Sequence, residues 1–292
     1  MFEGAYTAIV TPFDRKGQVD YGKLRELIEL QVAAGIDGIV PVGTTGESPT
    51  LDFSEHKLVI ETAIKAAAGR IKVIAGTGAN STSEAVELTR FAAGAGADGS
   101  LQVTPYYNKP TQEGLYRHFS MVADIGLPIV LYNIPGRTGV ELSPETIVRM
   151  YEEIPAVVAV KEATGKLDVS SQVAASCDIT ILSGDDSLTL PICSVGGSGV
   201  ISVLANLLPA EIRKLCDFVI SFDLADATMQ HLRLFNLCRG MFVETNPIPI
   251  KAAMAMAGMI QNELRLPLSP LSEHLRPALR RQLEEFGIPL KQ

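Results

Sequence analysis

The sequence predicts an α/β chain folded as a (β/α)8 barrel with a C-terminal helical appendage. Eight short apolar runs recur before residue 207, segments of helical periodicity separate most of them, and the runs are apolar on both faces. Strands buried on both faces belong to parallel sheets covered by helices. A count of eight favours closure into a barrel, which takes roughly 250 residues. The alternative is a doubly wound open sheet. With 292 residues, 47% of them hydrophobic, the chain can build a large core.

The first run is "TAIVTPF" (7–13), followed by a helical face of Leu24, Leu27, Ile28 and Val32 that should stop near Gly35. The second is "GIVPVG" (38–43), followed by Val59, Ile60, Ala63, Ile64 and Ala67 on one face and a stop near Gly69. "KVIAGTG" (72–78) leads to a helix ending near Gly94 and Gly96, and then to "GSLQVTP" (99–105). "PIVLYNIP" (128–135), "VVAVKEA" (157–163), "ITILSGDD" (179–186) and "GVISVLAN" (199–206) complete the set. No strand signal returns after Asn206. The expected division is a barrel over 1–224 and a helical region over 225–292, with no low-complexity linker between them.

A net charge of −8 argues against nucleic acid or a membrane surface as partner. Cys177, Cys193, Cys216 and Cys238 show no CxxC spacing and read as reduced thiols. The opening "MFEGAYTAIVTPFD" does not read as a signal peptide. No apolar run approaches the ~18 residues of a membrane span. The expected location is the cytoplasm.

Barrel chemistry sits at the C-terminal ends of the strands. Here those ends are rich in Gly, Thr, Tyr, Asn and charge. Lys161 closes the apolar run "VVAV". An ammonium group in dry surroundings loses hydration, which disfavours its charged form. A neutral amine condenses with carbonyls to a Schiff base. The other reading pairs Lys161 with Glu162, Asp185 or Asp186, although Glu162, as its strand neighbour, should face the opposite way. Tyr132 ends the preceding strand and is either a proton shuttle for that lysine or a rim tyrosine with a wet hydroxyl. "GTTGES" (43–48) offers hydroxyls and backbone amides in a tight turn suited to a carboxylate or phosphate, without the Lys-Ser or Lys-Thr of a P-loop. "GTGANS" (76–81) lacks the third glycine of a dinucleotide fingerprint. Arg137 is either a fork for a carboxylate or a solvated loop residue. His56, His118, His231 and His274 are not spaced as metal ligands, and no metal is expected.

The motifs "GTTGES", "TPYYNKP", "LYNIPGRTG", "KEATG", "LSGDD", "GVISVLAN" and "ETNPIPIK" fall in the order and spacing of the dihydrodipicolinate synthase family, which the chain resembles. The resemblance runs from "GAYTAIVTPF" to "LRLPL" at 264–268. It places the chain among the pyruvate-dependent class I aldolases, whose fold is a TIM barrel with C-terminal helices. It implies condensation of pyruvate with L-aspartate 4-semialdehyde through a lysine Schiff base, giving 4-hydroxy-tetrahydrodipicolinate, with no external cofactor.

Carried over residue by residue, the resemblance makes Lys161 the Schiff-base lysine and Tyr132 its proton donor and acceptor. Thr44 and Tyr107 complete the proton relay, with Tyr107 reaching a neighbouring subunit's site. Thr45 holds the pyruvate carboxylate, Ile201 and Gly184 line the same pocket, and Arg137 receives the semialdehyde carboxylate. A homo-oligomer follows, a dimer or a tetramer built as a dimer of dimers. The related alternative is N-acetylneuraminate lyase, in which neither the arginine of "GRTG" nor "TPYYN" is expected. An alternative of another class is a silent barrel that binds a small acid, which predicts loss of Lys161 or Tyr132. The family's allosteric lysine site corresponds to Ser48, His56, Asn80, Glu84 and Tyr106. Glu84 suits an ammonium ligand, but Pro49 and Phe53 depart from the lysine-sensitive pattern.

Overall fold

The computed structural model describes residues 2–291. Its strands are β1 (Gly4–Ala8), β2 (Gly38–Val40), β3 (Lys72–Gly76), β4 (Gly99–Val103), β5 (Ile129–Asn133), β6 (Val157–Glu162), β7 (Thr180–Ser183) and β8 (Gly199–Ser202). They are parallel and close in chain order, with β8 pairing back to β1. The chain is thus a (β/α)8 barrel, and the open-sheet alternative is excluded. Around it lie helices α1 (Tyr21–Ala33), α2 (Phe53–Ala67), α3 (Thr82–Ala95), α4 (Gln112–Ala123), α5 (Pro135–Thr138) and α6 (Pro144–Glu153). Then follow α7 (Leu167–Ala174), α8 (Thr189–Cys193) and α9 (Pro209–Ile220). The C-terminal helices are α10 (Leu224–Gly240), α11 (Ile248–Met256) and α12 (Arg276–Phe286).

Several expected strands end early, β7 at Ser183 and β8 at Ser202 among them. β1 spans Gly4–Ala8 rather than 7–13, and β2 stops at Val40. Pro41, directly after β2, has no N–H to give a ladder. Beyond Ala8, Ile9 N–H still donates to Val40 O (3.2 Å), Val10 N–H turns to Asn206 Oδ1 (3.0 Å), and Phe13 forms an isolated antiparallel bridge with Val19. Gly35, Gly69 and Gly96 follow or cap their helices with positive φ, whereas Gly94 lies inside α3.

Each strand sends alternate residues inward. Tyr6, Val40, Ile74, Leu101, Val130, Ala159, Leu182 and Ile201 fill the barrel. Their neighbours, such as Ile39, Val73 and Val200, face the helices. The closing seam needs glycine: at Gly199 (φ +153°) a Cβ would stand 2.0 Å from Gly4 O. The C-terminal helices extend the outer core, since Leu234, Leu237, Met241, Leu279 and Leu283 pack in one cluster with Ile28, Val200 and Leu215.

The pairing of β5 with β6 is irregular. Ile129 pairs with Val157, but Val130 pairs with Ala159, so Val158 is an extra residue on β6. A bulge of this kind exchanges the two faces of a strand. Val157 therefore packs in the outer layer, while Ala159 and, two residues on, Lys161 turn to the barrel axis. Among the described residues no helix is long and apolar enough to cross a membrane, and all four cysteines are free.

Two histidines set an acid limit on stability. His118 lies buried on α4, edge-on to Phe119 at 5.0 Å, with Nδ1 2.9 Å from Thr82 Oγ1. Burial pulls its imidazole down to about 4. His56, buried on α2, is lowered for the same reason, against its bond to Gly76 O. In the unfolded chain both titrate at about 6.5. The unfolded state therefore binds more protons below that value. Their contribution is complete above about pH 6.5 and is lost as pH falls towards 4. Denaturant midpoints are expected to fall across this window, and His118→Gln is expected to flatten that slope.

Candidate active site

Tyr132 on β5 stands directly opposite Lys161 on β6, and Asn133 stands opposite Glu162. Both members of the first pair face inward. Lys161 is 5% exposed, and its Nζ lies 4.2 Å from the centroid of the Tyr132 ring.

The ion-pair reading of Lys161 is not borne out. Among the described residues no carboxylate lies within 4.0 Å of its Nζ. Glu162 turns to the opposite face, where it accepts from Thr164 N–H (2.6 Å) and Asn133 Nδ2 (3.2 Å). Burial raises its carboxyl above the usual range, against those hydrogen bonds. Asp186 is also buried and raised by desolvation. It accepts from Ser202 Oγ and from Val203 N–H (2.9 Å). Asp185 is taken up by Ser187 N–H and Oγ, both at 2.8 Å.

The rim residues around this pair come from several strands. A cavity of about 30 Å³ is lined by Val42, Gly43, Thr44, Ser48, Leu101 and Tyr132, among others. The surface grooves are larger, including one of about 510 Å³ lined by Cys193, Phe218 and Phe222, but that groove contains none of the expected site residues. Gly184 lies against the lysine: a Cβ there would sit 2.6 Å from Ala163 Cβ and 3.2 Å from Lys161 Cε. Ile201 shares the barrel interior with Tyr132. Arg137, exposed on α5, donates from Nη2 to the main-chain oxygen of Asn246 (2.9 Å). Thr45 is buried and accepts from Asn246 Nδ2 (2.9 Å).

Tyr107 and, apart from Ser48, the candidate lysine-site residues do not line this cavity within one chain. Tyr107 is 90% exposed at φ 74° and does not line the cavity. Of the five candidate lysine-site residues, Asn80, Glu84 and Tyr106 gather together. Asn80 Nδ2 donates to Tyr106 O (3.2 Å), and burial with the Glu84 charge raises the Tyr106 phenol. Ser48 lies at the cavity, and His56 turns inward to Gly76 O (2.8 Å). Phe53 is 40% exposed beside Lys57.

The C-terminal residues that sequence reasoning left without chemistry reach this rim. Glu47 sits at φ 55°, in the left-handed region that non-glycine residues seldom adopt. It is held there by a fully buried ion pair with Lys251 of α11 and by Arg265 N–H (3.2 Å). Lys251 Nζ also lies 4.2 Å from the Phe13 ring centroid. Burial draws the Lys251 ammonium below its usual range, against the attraction of Glu47. Arg265 adds a paired contact to Glu55 at the start of α2. The signal in the sequence was a lone charge, Lys251, inside the apolar stretch "IPIKAAMAM". Among the described residues no group of three or more His, Cys, Asp or Glu is placed to hold a metal ion.

Residues 1–286 match the family model described as the dihydrodipicolinate synthetase family. A 4-hydroxy-tetrahydrodipicolinate synthase from Nitratidesulfovibrio vulgaris strain Miyazaki F is 52% identical, over 98% of this chain and 99% of that protein. The crystal structure of dihydrodipicolinate synthase from Aquifex aeolicus is 49% identical, covers 100% of both chains and superposes with a TM-score of 0.98. That of the chloride-inhibited dihydrodipicolinate synthase from Acinetobacter baumannii complexed with pyruvate is 45% identical, with a TM-score of 0.97, over 99% of this chain and 100% of that one.

Removing one partner of a buried ion pair strands the other charge. Lys251→Met is therefore expected to cost about 3–5 kcal/mol in chemical denaturation. The double substitution Lys251→Met with Glu47→Leu is expected to recover most of that loss.

Proposed function

The chain belongs to the dihydrodipicolinate synthetase family, and on that premise we propose how its barrel mouth carries out the reaction. It is a lyase-class synthase that joins pyruvate to L-aspartate 4-semialdehyde and forms 4-hydroxy-tetrahydrodipicolinate, in diaminopimelate and lysine biosynthesis. Neither the N-acetylneuraminate lyase reading nor the silent barrel is retained. The matched relative carries the synthase name over its full length, and Lys161 and Tyr132 are both present.

The observation that carries the mechanism is the buried amine of Lys161, unpaired with any carboxylate among the described residues and set against the Tyr132 ring. In our reading the neutral amine adds to the pyruvate carbonyl, and water leaves to give an imine. The imine nitrogen draws electrons, so a methyl proton is lost and an enamine forms. The enamine carbon attacks the aldehyde carbon of the semialdehyde. The semialdehyde's amino group then attacks the imine carbon, closing the ring and freeing Lys161. Tyr132 passes protons at the imine, with Thr44 and a neighbouring subunit's Tyr107 completing the relay. Thr45 donates to the pyruvate carboxylate, Ile201 and Gly184 shape the pocket, and Arg137 forks the second carboxylate. The lysine supplies the electron sink, so no cofactor enters this scheme.

Tyr107 is exposed in the single chain, as a residue completing another subunit's site must be. We therefore read the active species as an oligomer, with a dimer of dimers as its form and residues 225–292 as a helical region contributing packing and contacts. The setting is the cytoplasm. We read Asn80, Glu84 and Tyr106 as part of a lysine-binding site, with Glu84 as the anionic partner such a ligand needs.

Tyr132→Phe is expected to lower kcat by about 10²–10⁴-fold, as loss of a general acid–base does. Arg137→Ala is expected to raise KM for the semialdehyde and leave KM for pyruvate near its normal value. Equal rises in both KM values would contradict the role given to Arg137. The active enzyme is expected to sediment as a dimer or larger, and a fully active monomer would remove Tyr107 from the relay.

A further inference from the structure

We propose that Asn246 is a positioning residue that sets the direction in which the Thr45 hydroxyl presents its proton. This rests on the reading of Thr45 as the holder of the pyruvate carboxylate. Asn246 is 6% exposed, and Thr45 is more deeply buried. The Asn246 Nδ2 donates to Thr45 Oγ1 at 2.9 Å.

A threonine hydroxyl has one proton and two lone pairs, whereas a carboxylate only accepts. When an amide N–H occupies a lone pair of Thr45, the hydroxyl proton is left for the carboxylate. An acceptor at the same place would take that proton instead.

Three further observations support a role beyond packing. The main-chain oxygen of Asn246 accepts from Arg137 Nη2 at 2.9 Å, so one residue touches the side chains assigned to both substrate carboxylates. Five residues on, Lys251 binds Glu47, two residues past Thr45, so this segment ties the threonine loop at two points. Among the described residues Asn246 Oδ1 is buried without a hydrogen-bond partner. An asparagine kept only for structure would be expected to satisfy both ends of its amide.

The test is a double-mutant cycle of Thr45→Val and Asn246→Asp, read as KM and kcat for each substrate. Aspartate at 246 offers Thr45 only an acceptor. Alone, it is expected to raise the pyruvate KM by about 10- to 100-fold, the cost of losing a charge-assisted hydrogen bond. The semialdehyde KM should stay within about twofold, because the backbone carbonyl that holds Arg137 is unchanged. In the Thr45→Val background the same substitution should add less than about twofold. Additive effects, or an equal rise in both KM values, would overturn the proposal while leaving Thr45 in its role. An unchanged pyruvate KM in Thr45→Val alone would sink the Thr45 reading and this proposal with it. If Asn246→Asp does not fold, Asn246→Ala serves in the same cycle, with a smaller rise in pyruvate KM and the same loss of effect beside Thr45→Val.

Discussion

A closed parallel barrel has no free edge, and its closure dictates which side chains meet inside it. Here the register between β5 and β6 puts Tyr132 opposite Lys161. The extra residue Val158 then decides which way that pair points. Strict alternation from Val157, which packs outward, would have aimed Lys161 at the helices. The bulge turns it to the axis, against the Tyr132 ring and opposite Leu182. That placement is the setting of the proposed chemistry: Lys161 is buried, and among the described residues no carboxylate lies within ion-pair distance of it.

The acidic groups around the lysine are kept away by prior commitments. Glu162 is bound to Asn133 and Thr164, Asp185 to Ser187, and Asp186 to Ser202 and the backbone of Val203. Each carboxylate is satisfied on the face or loop where it sits. The threonine loop receives the reverse treatment: it is pulled into place from the far end of the chain. Lys251 and Arg265 hold Glu47 in its left-handed conformation, and Asn246 holds Thr45. The helices beyond the barrel therefore contribute to the site as well as to the core.

Much of this was legible in the sequence. Eight apolar runs separated by helical faces suffice for a barrel, and the polar character of the strand ends marks the rim. Lys161 and Tyr132 stood out because a charge and a phenol ended otherwise apolar strands. The outward turn of Glu162 followed from simple alternation. The bulge at Val158 could not be read, because "VVAV" is equally apolar in either register. The end of β2 was overextended because apolar residues continue past Pro41, where the ladder cannot, and that of β1 because the apolar Val10 gives its N–H to Asn206 instead. The roles of Glu47, Asn246 and Lys251 stayed hidden because each depends on a contact spanning about two hundred residues of sequence. Tyr107 shows the opposite limit: the resemblance assigns it a role that a single chain cannot display.

The most direct test of the central claim is chemical trapping of the imine. The protein is incubated with pyruvate, reduced with borohydride and digested, and the modified peptide is identified by mass spectrometry. The account predicts a reduced pyruvate adduct on Lys161, on no other lysine, and absent when pyruvate is omitted. A folded protein that yields no adduct, or one modified at Lys251 or another lysine instead, would contradict it.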